Sequence, residues 1–121
     1  MQEAFAGVSA SDVDRMLESY TDDVVFEFPY ADPPHALEGK DAAHAYLTQA
    51  LAVFRFTLEI TAVHECVDPD ELVVEYASTG SVSTTGQPYA NTYIGVYHFR
   101  DGRICRVKEF YNPLPSMRAL S

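Results

Sequence analysis

The half of the chain from Arg55 to Tyr111 leaves little room for anything but β-structure, and it constrains what the rest can do. Four strand-length runs follow one another: Arg55 to Cys66, Glu71 to Val82, Tyr89 to Arg100 and Arg103 to Tyr111. Each is rich in the β-branched and aromatic residues that suit a pleated, half-buried surface. Turn chemistry marks the junctions. Asp68-Pro69-Asp70 and Thr85-Gly86-Gln87-Pro88 break two of them, and Asp101-Gly102 is a two-residue hairpin signal. Runs joined this closely form an antiparallel meander, and its dry face needs a cover.

The front half supplies one. Ser9-Ala10-Ser11-Asp12 reads as a capping box, and Val13, Met16, Leu17 and Tyr20 follow at helical spacing. The run from Val24 to Phe28 alternates as a strand, and Pro29, Pro33 and Pro34 then impose a loop as far as Gly39. A second helix is expected from Lys40 to about Phe54, with Ala43, Tyr46, Leu47, Ala50, Leu51 and Phe54 on one stripe and His44 off it. Helices first and a meander afterwards predict one α+β domain over residues 1–121, its curved, mainly antiparallel sheet wrapped around the N-terminal helices.

Charge excludes some partners. With 8 Lys and Arg against 18 Asp and Glu, the formal charge is -10, so nucleic acid and anionic membrane surfaces would repel the chain. No apolar run is long enough to span a bilayer, and the N-terminus lacks the basic and apolar regions of a secretory signal, so a cytoplasmic location is expected. Cys66 and Cys105 lack C-x-x-C spacing and read as free thiols. The four histidines share no ligand spacing, so no metal and no cofactor is expected.

The last strand raises the functional question. Cys105, Val107, Glu109 and Tyr111 fall on one face, and Ile104, Arg106, Lys108 and Phe110 on the other. A carboxylate on the drier face is costly unless something uses or satisfies it. On the neighbouring strand Tyr89, Asn91, Tyr93, Gly95, Tyr97 and Phe99 form one set, suited to a polar-tipped ligand cavity. The opposite set, with Ile94 and Val96, is aliphatic and predicts a homodimer face.

Three motifs in order, DVDRMLESYTDDVVFEFP (Asp12 to Pro29), LEGKD (Leu37 to Asp41) and DGRI with KEFYNP (Asp101 to Pro113), resemble the SnoaL-like superfamily. This is the nuclear-transport-factor-2-like, ketosteroid-isomerase-like α+β cone, and the tail KEFYNPLPSMRAL is most similar to the PhzA/PhzB-like group. The resemblance covers nearly the whole chain and implies a carboxylate on the final strand, here Glu109. The base of ketosteroid isomerases aligns instead with Phe28, and their oxyanion-hole aspartate with Gly95, so that constellation is absent. The arginine–aspartate pair of the limonene-epoxide-hydrolase-like group is absent too. The PhzA/PhzB-like histidine aligns with Tyr46, two residues from His44. Relatives carry a fuller first helix, whereas about eleven residues precede Asp12 here.

These readings predict general acid/base catalysis without a cofactor, in an isomerase, cyclase, dehydratase or epoxide hydrolase acting on a mostly apolar, polyketide-like or aromatic small molecule. Glu109 and Tyr46 are the expected catalytic residues, and Tyr20, Phe28, His35, Asn91, Tyr93 and Tyr111 the expected substrate contacts. The oxyanion donor is sought among Tyr46, Tyr93 and Tyr111. The alternative is a noncatalytic binding or dimerisation module in which Glu109 is a structural acid, paired with Arg55 or another donor.

Overall fold

A computed structural model describes residues 1–31 and 33–121; the part of the expected proline-rich loop at Asp32 lies outside the described residues. Two short helices, α1 (Gln2–Ser9) and α2 (Val13–Leu17), precede strand β1 (Tyr20–Phe28), strand β2 (His35–Glu38) and helix α3 (Lys40–Val53). Four strands follow, β3 (Phe54–Glu65), β4 (Glu71–Val82), β5 (Pro88–Arg100) and β6 (Arg103–Tyr111), and helix α4 (Leu114–Leu120) ends the chain. The strands form one six-stranded sheet in the order β2-β1-β6-β5-β4-β3. All neighbours pair antiparallel except β1 and β6, so the sheet is mixed and mainly antiparallel, as the sequence predicts.

The meander is held at its last turn by Asp101 and Gly102, with φ of 53° and 79°. Paired positive φ is what a twist-matched two-residue hairpin requires. Inside, Val24, Phe26, Val74, Tyr97 and Val107 of the sheet meet Phe5 and Val8 of α1, Met16 and Leu17 of α2 and Leu51 of α3.

Several expectations change. The capping box does not form at Ser9, where α1 ends; Asp12 caps α2 by accepting the Arg15 N–H at 3.1 Å. Ser9 Oγ instead accepts the Leu58 N–H of β3 at 3.0 Å. Tyr20 opens β1 rather than closing a helix, and Phe54 opens β3 rather than ending α3. The residues before Asp12 make α1, a helix the sequence reading did not assign. Residues 35–38 of the expected loop pair with β1 from Val25↔Glu38 to Phe28↔His35.

Ile104 was expected beside Arg106 and Lys108, yet it is 1% exposed and packs in the core. The β5–β6 register slips between His98 and Phe99, pairing Phe99 with Ile104 and His98 with Arg106. That irregularity reverses the facing of Ile104 while leaving Val107, Glu109 and Tyr111 in phase, as a bulge does.

Candidate active site

A cavity of about 320 Å³ lies inside the cone, between the helices and the concave face of the sheet. Its walls are aromatic and aliphatic, with Phe26 and Phe28 from β1, Tyr76 from β4, Tyr93 and Tyr97 from β5 and Leu47 from α3. Glu109 is brought into this wall by the alternation of β6, which turns Val107, Glu109 and Tyr111 inward and Lys108 outward.

The Glu109 carboxylate is held on one side only. The Tyr76 hydroxyl donates a short hydrogen bond to its Oε2, and the Tyr97 hydroxyl donates to the Tyr76 oxygen at 3.2 Å. Oε1 has no hydrogen-bond partner among the described residues, and the Glu109 side chain lines the cavity. Burial pushes its carboxyl up to about 7, against the opposing pull of the Tyr76 hydrogen bond. Desolvation disfavours the charged form more than one neutral donor can offset. The result is an acid that is part protonated and part ionised near neutral pH.

Gly95 makes the tyrosine pair possible. It sits opposite Glu109 in the β5–β6 ladder. A Cβ there would come within 2.5 Å of Tyr97 Cε2 and 3.0 Å of the Tyr76 hydroxyl oxygen. The missing side chain is the space in which the Tyr97 ring lies back beneath Tyr76. Phe5 braces Tyr76 edge-on at 4.7 Å between ring centroids, and Tyr93 stacks on it at 5.1 Å.

A second network lies farther along β5. The Tyr93 hydroxyl is bonded to Ser78 Oγ at 2.9 Å and to the Tyr89 hydroxyl at 2.7 Å. Asn91 Nδ2 donates to Tyr89 at 3.1 Å and to the Asn112 carbonyl at 2.9 Å, and Asn91 Oδ1 accepts the Thr92 N–H at 2.9 Å. This network is neutral and runs into the backbone.

The cavity thus brings together Tyr20, Phe28, Tyr46, Tyr93, Tyr111 and Glu109. It does not bring in Asn91, whose amide is spent on the second network, nor His35, which is exposed beside the mouth. The His35 ring lies 5.1 Å from Phe28 and 5.6 Å from Tyr46, and its Nδ1 is 3.3 Å from the Pro33 carbonyl. Tyr46 is 36% exposed at the rim and makes no hydrogen bond to Glu109 among the described residues. His44 points elsewhere, 3.0 Å from Asp14. Arg55, named as a possible partner of Glu109, is exposed; Tyr76 takes that place. Tyr76 went unremarked in the sequence, where its signal was its phase with Val74 and Ser78 in β4. Among the described residues no three His, Cys, Asp or Glu side chains converge as a metal site would require, and no helix is long and apolar enough to cross a membrane.

Comparison with known proteins agrees with this architecture. The SnoaL-like domain profile matches residues 1–107. An uncharacterised PhzA/B-like protein of Pseudomonas aeruginosa is 36% identical over 100 residues, 79% of this chain and 70% of its own length. The crystal structure of a Bacillus subtilis protein provisionally named an isomerase superposes with a TM-score of 0.92 at 31% identity, covering 98% of this chain and 88% of the other. A Catenulispora acidiphila protein with the ketosteroid isomerase-like fold, in complex with trimethylamine, gives a TM-score of 0.83 at 12% identity, covering 98% and 88%, a likeness of fold alone.

Proposed function

This chain belongs to the SnoaL-like family, and we propose that within it the protein is an enzyme in which Glu109 moves a proton on a mostly apolar ketone-like small molecule. The reaction class is proton removal from carbon beside a carbonyl, the step that isomerisation and cyclisation of aromatic or polyketide-like substrates share. One observation carries the reading: a carboxyl poised at about 7 presents an unpartnered oxygen to an apolar chamber. A group with that pKa is available as base and as acid at neutral pH. In the forward step the C–H bond breaks, its proton passes to Oε1, and the electron pair moves into an enolate. Return of the proton to another atom completes the reaction, and no redox partner is needed. The provisional isomerase name of the Bacillus subtilis relative is in keeping with this class.

The test needs no knowledge of the natural substrate. Two-ring aryl ketones such as 1-tetralone are incubated with the protein in deuterium oxide, and loss of the proton signal beside the carbonyl is followed by NMR. Wild type is expected to accelerate exchange, and Glu109→Gln, which keeps shape but cannot titrate, to lose roughly 10²–10⁴-fold of that rate. Exchange that survives unchanged in Glu109→Gln would remove Glu109 from the chemistry. The binding-module alternative draws on the Tyr76 hydrogen bond, which partly satisfies Glu109; it predicts bound ketone with no exchange in either protein.

A further inference from the structure

Counting hydroxyl protons around Glu109 shows which tyrosine is available to a ligand. A phenol has one proton to give. That of Tyr76 is spent on Glu109 Oε2, and that of Tyr97 on Tyr76. Tyr93 is held between Ser78 and Tyr89. Tyr46 and Tyr111 line the outer part of the cavity, where Tyr46 is wet and Tyr111 only partly buried. Tyr20 is different. It is 1% exposed, it lines the cavity, and its hydroxyl has no hydrogen-bond partner among the described residues. Because Tyr20 lines the cavity, the little surface it has borders that chamber. A buried phenol held in this way costs free energy that a ligand oxygen can recover.

We infer that Tyr20 is the hydrogen-bond donor to the ligand's oxygen, completing with Glu109 the pair that acts on an enolisable carbonyl. The inference rests on the proposed function, and it replaces Tyr46, Tyr93 and Tyr111 as the expected oxyanion donor. As Glu109 Oε1 takes the proton from carbon, negative charge grows on the carbonyl oxygen, and the Tyr20 O–H is in place to meet it. Burial, and after it the Glu109 charge, hold the Tyr20 phenol above its ordinary value, so it keeps its proton and acts as a donor only. A fixed donor in a dry site is worth more to a developing oxyanion than one exposed to water. The position follows from the sequence: Tyr20 opens β1, its ring lies 5.1 Å from Phe26, and the Ile104 N–H bonds the Ser19 carbonyl beside it at 2.9 Å, tying this end of β1 to the Glu109 strand.

The experiment uses 1-tetralone labelled with carbon-13 at its carbonyl, the full-length protein and two readouts. Difference infrared spectroscopy reads the hydrogen bond to the bound carbonyl, and deuterium exchange reads proton transfer. In Tyr20→Phe the bound carbonyl stretch is expected to return toward its value in an apolar solvent, and exchange to fall roughly 10²-fold. Melting should be unchanged, because the hydroxyl bonds no protein group among the described residues. A carbonyl shift that persists in Tyr20→Phe but disappears in Tyr46→Phe or Tyr111→Phe overturns the assignment. So does a lower melting temperature or misfolding of Tyr20→Phe, which would make the hydroxyl structural. Exchange that depends on Glu109 but not on Tyr20 overturns this inference and leaves the proposed function standing. A carbonyl shift that depends on Tyr20, with no exchange in wild type, supports the donor and overturns the proton-transfer reading.

Discussion

The two faces of β5 differ in how they meet the demands of burial. Inward, Tyr89, Asn91, Tyr93 and Tyr97 are all buried, and each polar tip has a partner. Outward, Ile94 is 45% exposed and Val96 half-buried, and with Tyr30 and Phe110 the Ile94 side chain borders a shallow groove of about 530 Å³. The same thirteen residues carry tyrosines where they face helices and aliphatics where they face outward. Usually the polarity runs the other way. The inversion fits a strand that needs hydroxyls around a cavity and a smooth surface behind it.

The outer face carries the largest expected effect. We propose that two copies of the chain meet across it, which would cover the aliphatic side of β5. Ile94→Lys or Val96→Lys would then place an unpaired charge in the contact, a change worth roughly 3–5 kcal/mol in buried settings. Light scattering at micromolar concentration should give a dimer for wild type and a monomer for either variant. A monomeric wild type would end the dimer proposal and leave the exposed face without an explanation.

On the inner face the second network should behave as structure. Asn91→Ala would strip a donor from both Tyr89 and the Asn112 carbonyl and an acceptor from the Thr92 N–H. A loss of about 2–3 kcal/mol in denaturant unfolding is expected from buried groups left unpaired. Ketone exchange per folded molecule should hold within a few-fold, because Asn91 does not line the cavity. An exchange rate that collapsed while stability held would show that the amide belongs to the site after all.

How much of this was legible in the sequence depended on how local the cause was. Glu109 could be placed inside because a period of two needs only its own strand, and the Asp101-Gly102 turn could be typed because positive φ is a property of those residues. Ile104 was misplaced because its facing depends on a register slip opposite Phe99, which single-strand alternation does not contain. The strand at residues 35–38 was hidden by the prolines before it, and α4 by its shortness and its Pro115. Tyr76 was missed because its partner lies 33 residues away and two strands over. Gly95 was read as one of the cavity-facing set, but only packing shows that Tyr97 and Tyr76 occupy the space beside it.

The dependence of stability on pH separates the two networks next. Glu109 has its folded pKa raised to about 7, above an unfolded value of roughly 4.3. The folded state therefore binds more protons than the unfolded one between these values, and stability falls as pH rises through that window. The term is fully present below about pH 4.3 and lost above about pH 7. Its size should be on the order of 2 kcal/mol, less than the whole shift would give because Oε1 faces the cavity. Glu109→Gln should remove this slope and be the more stable protein at about pH 8. The neutral second network contributes no slope, so Asn91→Ala should shift the whole curve downward without changing its shape.

The smallest effect is expected where one tyrosine is altered in the network that ends on an acid. Tyr76→Phe removes the hydrogen bond to Oε2 and the acceptor of the Tyr97 hydroxyl, and keeps the ring against Phe5 and Tyr93. That bond is the one contribution pulling the Glu109 carboxyl down, so its loss should let the pKa climb above about 7. The climb can be read from the carbon-13 shift of the Glu109 carboxyl in selectively labelled protein. Stability near neutral pH should fall by about 1 kcal/mol, since the cost of the two bonds lost is opposed in part by the fall in ionised carboxylate. The pH at which exchange reaches half its maximum should move upward with the pKa, because Glu109 must be ionised to act as base. Tyr93→Phe, which alters the neutral network, should leave the carboxyl titration nearly where it was. If both variants moved it equally, the two networks would be one coupled system, and the separation drawn between them would fail.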